Sequence, residues 1–273
     1  MAGAQLTRGT FRGVALLGDE RRPGGVTFAF TERDGGVSEG EFSSLNLGDR
    51  CGDDPQRVAE NRRLALEALG ATGLDARLVN PVQVHGDHVV VVTDGSDEGV
   101  RRAQAEAREG ADAVVCAVAD VPVLLCYADC VPVVLVAPGA FAVVHSGWRG
   151  TIARISAKAL AVLCEVSGVT PAEVNAYVGP HIAGEDYEVS PELLARFVDE
   201  FGAGVALPGT CLDLGVAVRD TLLAAGIAPD AIAAVGVSTA QATDRFFSYR
   251  STGGRCGRHG ALAYLPATSS REV

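Results

Sequence analysis

The chain has no run of lysine or arginine longer than a pair, and acidic residues outnumber basic ones, giving a formal net charge of −11. Nonspecific attraction to nucleic acid or to an anionic membrane rests on clustered basic side chains that displace counterions. Neither partner is expected, whereas a small polar substrate remains open. The seven cysteines are odd in number and include no C-x-x-C pair, which argues against a disulfide framework and against a zinc ribbon. Reduced thiols in a cytoplasmic protein fit that pattern. Residues 1–13 lack a basic segment followed by an apolar one, so no secretory signal is expected there. No membrane span is expected either. The longest apolar stretch, residues 113–144, contains Asp120, Asp129, Pro122, Pro132 and Pro138, and charges and prolines at that density are costly in hydrocarbon. No internal repeat and no Pro/Gly/Ser-rich linker divides the 273 residues.

What is present is core-forming sequence: 48% of the residues are hydrophobic, enough to fill one large α/β domain. Residues 26–31 read as a strand, and Gly35-Gly36 begins a loop that runs through Gly48. Asp53-Asp54-Pro55 opens a helix with an acidic N-cap and a proline in the first turn, and Gly70 closes it. Strands are expected at residues 78–84 and 89–92, followed by a polar surface excursion with some helix over residues 94–110. Residues 113–119, 123–127, 131–137 and 141–145 are closely spaced and rich in β-branched side chains, the pattern of a buried sheet. A helix over residues 151–166, a strand at 175–178, helices at 191–201 and 213–225 and a strand at 232–237 complete the pattern. The expectation is a single mixed α/β domain over residues 1–273, with a disordered tail at about 267–273.

Three segments end in candidate metal ligands: Gln83-Val84-His85-Gly86, Ala128-Asp129-Cys130, and Val143-Val144-His145-Ser146-Gly147. Two imidazoles and a thiolate make a borderline-soft set that suits Zn²⁺ and leaves one tetrahedral position open, as in a catalytic site. If residues 82–85 form a strand, Gln83 and His85 share its polar face. Alone, His85 would read as a solvated strand end. Cys130 lies between Asp129 and Pro132, in a turn at the rim of the sheet, where ligand sites of α/β proteins concentrate. The other six cysteines, Cys51, Cys116, Cys126, Cys164, Cys211 and Cys256, read as small buried hydrophobes. His145 ends an apolar strand, and the following Ser146-Gly147-Trp148-Arg149-Gly150 turns the chain into a helix with amide groups that favour an anion. His88 and His259 read as surface residues.

The helix after Pro55 carries a separate signal. At 100° per residue Val58, Ala65 and Leu69 form its apolar stripe, Arg62 falls on that stripe, and Arg63 points away. A guanidinium on an apolar stripe needs a carboxylate or a bound anion as partner.

The sequence resembles the YfiH/YlmD-type laccase-domain proteins, also described as purine nucleoside phosphorylases or peptidoglycan editing factors. The resemblance is carried nearly end to end, by Phe42 to Gly48, Gly52 to Pro55 with Asn61-Arg62, Gln83 to Gly86, Ala111-Asp112-Ala113, Ala128-Asp129-Cys130, His145 to Gly150, Val178-Gly179-Pro180 with Tyr187 to Val189, and Phe246 to Arg250. It implies a layered α/β sandwich with mixed sheets, zinc held by His85, Cys130 and His145, and Arg62 at the site. Two departures stand out: Ser146 where the family commonly has alanine, and Ser238-Thr239 where it often has Cys-Thr.

The resemblance implies phosphorolysis of adenosine, inosine and methylthioadenosine to free base and a pentose 1-phosphate, with adenosine deamination as a side activity. Arg62 would help position the phosphate, and Asp129 is a candidate for assisting purine departure by position only. Other readings differ in class. Copper-dependent polyphenol oxidation is disfavoured, because clustered coppers need roughly ten histidines and a thioether axial ligand, whereas this chain has five histidines and its single methionine is Met1. Metal-free hydrolysis of a cell-wall precursor, with Cys130 as nucleophile and a histidine as base, is a third. A nonenzymatic metal-binding partner protein is the fourth.

Overall fold

The apolar centre of the chain folds as strands covered on both faces, in a computed structural model that describes residues 3–267. In chain order the strands are β1 (Thr7–Phe11), β2 (Val14–Gly18), β3 (Thr27–Thr31), β4 (Val89–Val92), β5 (Ala113–Cys116), β6 (Val123–Tyr127), β7 (Val131–Ala137), β8 (Ala140–Ser146), β9 (Asn175–Val178), β10 (Ala206–Leu207), β11 (Cys211–Leu212), β12 (Ile232–Ala234) and β13 (His259–Tyr264). The helices are α1 (Pro55–Leu69), α2 (Asp97–Glu109), α3 (Trp148–Ile152), α4 (Ile155–Ser167), α5 (Pro191–Phe201) and α6 (Leu214–Ala224).

Two sheets form the middle of the sandwich: β1-β2-β3-β13-β6, and the mixed sheet β12-β9-β7-β8-β5-β4. Alternate residues of each inner strand feed different layers, as a period of two requires. Val134 and Val136 of β7 and Phe141 and Val143 of β8 face the core between the sheets, with Leu125 and Tyr127 of β6. Val133, Leu135, Ala142 and Val144 face the opposite way, against α4 and α6. On the outer side of the first sheet, Leu124 of β6 and Leu262 of β13 pack on Ala65, Leu66 and Leu69 of α1. The result is a layered α/β sandwich with helices outside both sheets. Among the described residues no helix is long and apolar enough to cross a membrane.

Helix α1 follows its sequence signals. Asp54 accepts the Gln56 amide, Pro55 occupies the first turn, and Gly70 adopts the left-handed conformation at φ 91° that ends it. Elsewhere the structure corrects the sequence reading. Residues 78–84 run beside the free edge of β6 but form no regular strand: Val79 alone bridges to Val123 through its backbone, and beyond it Pro81 has no amide proton and side chains do the pairing. Asn80 donates to Leu124 O (2.8 Å), and the Gln83 amide both donates to Cys126 O and accepts from Cys126 N (2.8 Å each). The helix expected over 151–166 is broken at Arg154, held at φ 58°, into the single turn α3 and the longer α4. His259 is not on the surface but fully buried in β13, between β3 and β6, where burial drives its pKa down to about 3 and keeps it neutral. Strands β1 and β2 had no clear signal: all five β1 residues are exposed, so no alternation marks them. Of the expected disordered tail, residues 268–273 lie outside the described residues, and the Ala267 amide donates to Asp120 (3.0 Å).

Because Phe141 is fully buried between the sheets, Phe141→Ala is expected to lower unfolding free energy by roughly 3–5 kcal/mol. Phe11→Ala, at an exposed position, should move the denaturation midpoint little; chemical denaturation of both variants checks the contrast.

Candidate metal centre

Strand β6 belongs to one sheet and β7 to the other, so the turn Ala128-Asp129-Cys130 carries the chain across the sandwich. The β7–β8 register then sets Pro132 opposite His145 and Val131 opposite Ser146, which brings Cys130 to the end of β8. His85 arrives from the segment beside β6. The candidate ligand atoms of His85, Cys130 and His145 lie within 4.8 Å of one another, with His85 exposed and His145 buried. Gly147 has no room for a side chain there: a Cβ would stand 2.8 Å from the His85 ring and 3.3 Å from Cys130 Sγ.

Asp112 holds this cluster in place. Its carboxylate is fully buried and accepts the His145 Nδ1 proton (2.7 Å) together with the amides of Val84 (3.2 Å), His85 (3.0 Å) and Gly86 (2.7 Å). Its own carbonyl accepts the His145 amide (2.7 Å). Three converging amides stabilise His85 in the left-handed conformation at φ 60°. Burial works against the carboxylate, yet the His145 hydrogen bond and charge and the backbone amides outweigh it and hold its pKa below the usual range. Nδ1 of His145 is thereby committed to Asp112, which leaves Nε2 as the ligand atom. Without metal, burial raises the Cys130 pKa, but the charge of His145 and hydrogen bonds from both histidines prevail and bring it to about 6. His145 responds in the opposite sense: burial lowers it, and Cys130 and Asp112 raise it to about 9. Two imidazoles and an easily ionised thiol, with one imidazole oriented by a carboxylate, fit a divalent metal.

Asp129, at φ 91°, is occupied by structural bonds. One carboxylate oxygen accepts from the Thr239 hydroxyl and the other from the Arg250 amide, both at 2.7 Å. These two bonds fix the Cys130 turn. Ser146 pairs with the Thr151 hydroxyl (2.9 Å), and Ser238 donates to Asp186 (2.6 Å) away from the cavity wall.

The cluster opens into a cavity of about 590 Å³. Arg50, Arg149, Arg250 and Arg258 line it, and Arg149 stacks on Trp148 (4.2 Å), Arg250 on Tyr187 (5.0 Å) and Arg258 on Tyr249 (5.7 Å). Helix α3 is one turn long and contributes little dipole; the positive character comes from these side chains. Cys51 and Cys126, expected to be inert core residues, also line the wall, although burial pushes the Cys126 thiol up to about 11.

Arg62 does not share this cavity. It is largely buried on the α1 stripe, donates from Nε to Leu47 O (2.9 Å) and lies 3.3 Å from Asp49. Its hollow, about 610 Å³, adjoins the cavity and shares Asp49, Arg50, Asn80 and Pro81 with it. Arg63 faces solvent and pairs with Glu60 and Glu67. Sequence reasoning gave Asp112 no role, and its one available signal was an acid embedded between alanines at the start of an apolar run.

The sequence profile described as multi-copper polyphenol oxidoreductase laccase matches residues 27–266. The chain belongs to this laccase-domain family. A purine nucleoside phosphorylase of Deinococcus radiodurans is 38% identical over 248 residues, 88% of this chain and 90% of its own length. Among solved laccase-domain structures, YlmD from Geobacillus stearothermophilus superposes with a TM-score of 0.82 at 32% identity, covering 97% of this chain and 98% of that one. YfiH of Bacillus licheniformis gives 0.80 at 28% identity, covering 93% and 97%.

Removing the carboxylate that orients His145 and the His85 loop should loosen the metal more than the fold. Asp112→Asn is expected to weaken metal binding by roughly 10- to 100-fold, measured by competition with a chromogenic chelator; unchanged affinity would deny Asp112 this role.

Proposed function

We propose that this laccase-domain protein is a zinc-dependent purine nucleoside phosphorylase of a reducing, cytoplasmic compartment. It cleaves adenosine, inosine and methylthioadenosine with phosphate to free base and a pentose 1-phosphate, with adenosine deamination as a side activity. The names of the relatives support the reaction class. The observation that carries it is a His₂Cys ligand cluster opening into an arginine-lined cavity.

His85, Cys130 and His145 hold the zinc. When bound, the metal supplies a cationic centre with an open position that can orient an oxyanion or acidify a water. Arg149 and Arg250 lie close to Tyr187 and Cys130 and clamp phosphate with charge-assisted hydrogen bonds. A phosphate oxygen attacks C1′ of the ribose, the C1′–N9 bond breaks, and its electron pair leaves with the purine, which takes up a proton. Trp148 and the more exposed Tyr249 line the cavity and supply aromatic surface for the base. Arg62 is a positioning residue: it holds Leu47 and Asp49, so the turn lining the cavity keeps its place. The low thiol pKa of Cys130 beside His145 favours a second reading, hydrolysis with Cys130 as nucleophile. Metal content separates the two.

Elemental analysis of protein purified without chelator should find about one zinc per chain. Cys130→Ser should lose most of it and Cys164→Ser none; a Cys130→Ser variant with full zinc but no activity would favour the nucleophile.

Adenosine and inosine should be consumed only when phosphate is present. Free ribose formed at the same rate in phosphate-free buffer would establish hydrolysis instead. Arg62→Ala, which frees the Leu47–Asp49 turn at the cavity wall, is expected to lower kcat/KM for phosphate by roughly 10- to 100-fold through misplacement rather than a lost phosphate contact, whereas Arg63→Ala should be nearly silent. Equal small effects, in variants shown by thermal melting to be folded, would remove Arg62 from the machinery.

A further inference from the structure

The cavity beside the metal ligands carries more positive charge than one phosphate requires. Its four arginines, Arg50, Arg149, Arg250 and Arg258, converge on one cavity without a carboxylate partner among the described residues. Of the acids on the wall, Asp49 pairs with Arg62, and Asp129, held only by neutral donors, keeps a negative charge that about offsets the net positive charge a divalent metal on two imidazoles and a thiolate would add. A phosphate dianion balances two guanidinium groups, and purine and ribose are uncharged. Two guanidinium groups therefore remain, in a protein whose overall charge is −11.

The arginines also separate in space. Arg250 stacks on Tyr187 and Arg149 on Trp148, both on the wall that holds Cys130 and His145, at the metal end. Arg258 lies over Tyr249 and against Gly48, next to Asp49 and Arg50, where the cavity meets the Arg62 hollow. Arg258 donates from one terminal nitrogen to Cys256 O (2.7 Å) and Gly257 O (2.9 Å), and its Nε and other terminal nitrogen make no hydrogen bond among the described residues. Arg50 makes no side-chain hydrogen bond to them at all. Donors left free in a partly enclosed site favour an anionic ligand that completes them.

We propose that Arg50 and Arg258 form a second anion subsite, so that the protein binds purine nucleosides bearing a 5′-phosphate more tightly than neutral ones. The proposal rests on the nucleoside reading above. With C1′ at the metal end, the 5′ carbon is the ribose position that leads away from the reacting phosphate, and a cavity of about 590 Å³ is large enough for a nucleotide.

The test is calorimetric titration of zinc-loaded protein, at fixed ionic strength, with adenosine, adenosine 5′-monophosphate and inorganic phosphate. The monophosphate should bind at least about ten-fold more tightly than adenosine, and saturating inorganic phosphate should not displace it. Arg258→Gln and Arg50→Gln should each remove most of that advantage. Arg50→Gln guards against misfolding, since that side chain makes no hydrogen bond or ion pair among the described residues, while Arg149→Gln should weaken inorganic phosphate and retain the nucleotide preference. Equal affinities for adenosine and its monophosphate, an advantage that survives both variants, or displacement by phosphate would overturn the subsite. A parallel assay of adenosine phosphorolysis keeps the two ideas apart. Turnover without nucleotide preference sinks only the subsite, and an Arg50- and Arg258-dependent preference without turnover sinks only the phosphorylase reading.

Discussion

The buried carboxylate of Asp112 is the contact on which the cluster of His85, Cys130 and His145 depends. One side chain orients the His145 ring and receives three successive amides of the loop that carries His85. Those amides lie in a segment with no regular strand partner, so Asp112 does there what a sheet ladder does elsewhere. A buried acceptor with four donors is also self-consistent electrostatically: the cost of burial is offset by the groups that need it. Remove the charge and the two halves of the cluster lose their common reference.

The remaining ligand is placed by topology. Cys130 occupies the crossing between the two sheets, and its turn is locked from behind by Asp129, whose oxygens hold Thr239 and the backbone at Arg250. That second bond ties the metal centre to the cavity wall, because Arg250 itself projects toward Tyr187. His145 thus sits at a strand end and Cys130 and His85 in the bends beside it, while the arginines that give the cavity its charge come from loops and turns and, for Arg149, from α3. Such a division lets one metal platform serve different substrates by changes in the loops. Within a family described by copper oxidation, with relatives named as nucleoside phosphorylases, the surroundings of the ligands therefore bear more on the reaction than the fold does.

Much of the architecture was legible wherever physical signals are local. Helix α1 has its cap, its proline and its terminal glycine in adjacent positions, and periodicity separated Arg62 from Arg63 before any packing was known. The strands β6, β7 and β8 were evident as apolar runs separated by turns. The misreadings arose where a distant element substitutes for a local one. Residues 78–84 have strand-like composition, yet Asn80 and Gln83 pair through side chains with a strand more than forty residues away. Nothing near His259 in sequence announces that it lies between β3 and β6.

The amino-acid order alone determined the class of fold, the ligand types and the face of α1 on which Arg62 lies, because periodicity, capping and donor chemistry are properties of neighbouring residues. Which ligands meet, that Asp112 unites them, and that Arg62 reaches the cavity only through the Leu47–Asp49 turn were decided by tertiary structure. Those relations depend on strand register and on the crossing between sheets, and a contact between residues far apart in the chain leaves no periodic trace in either segment.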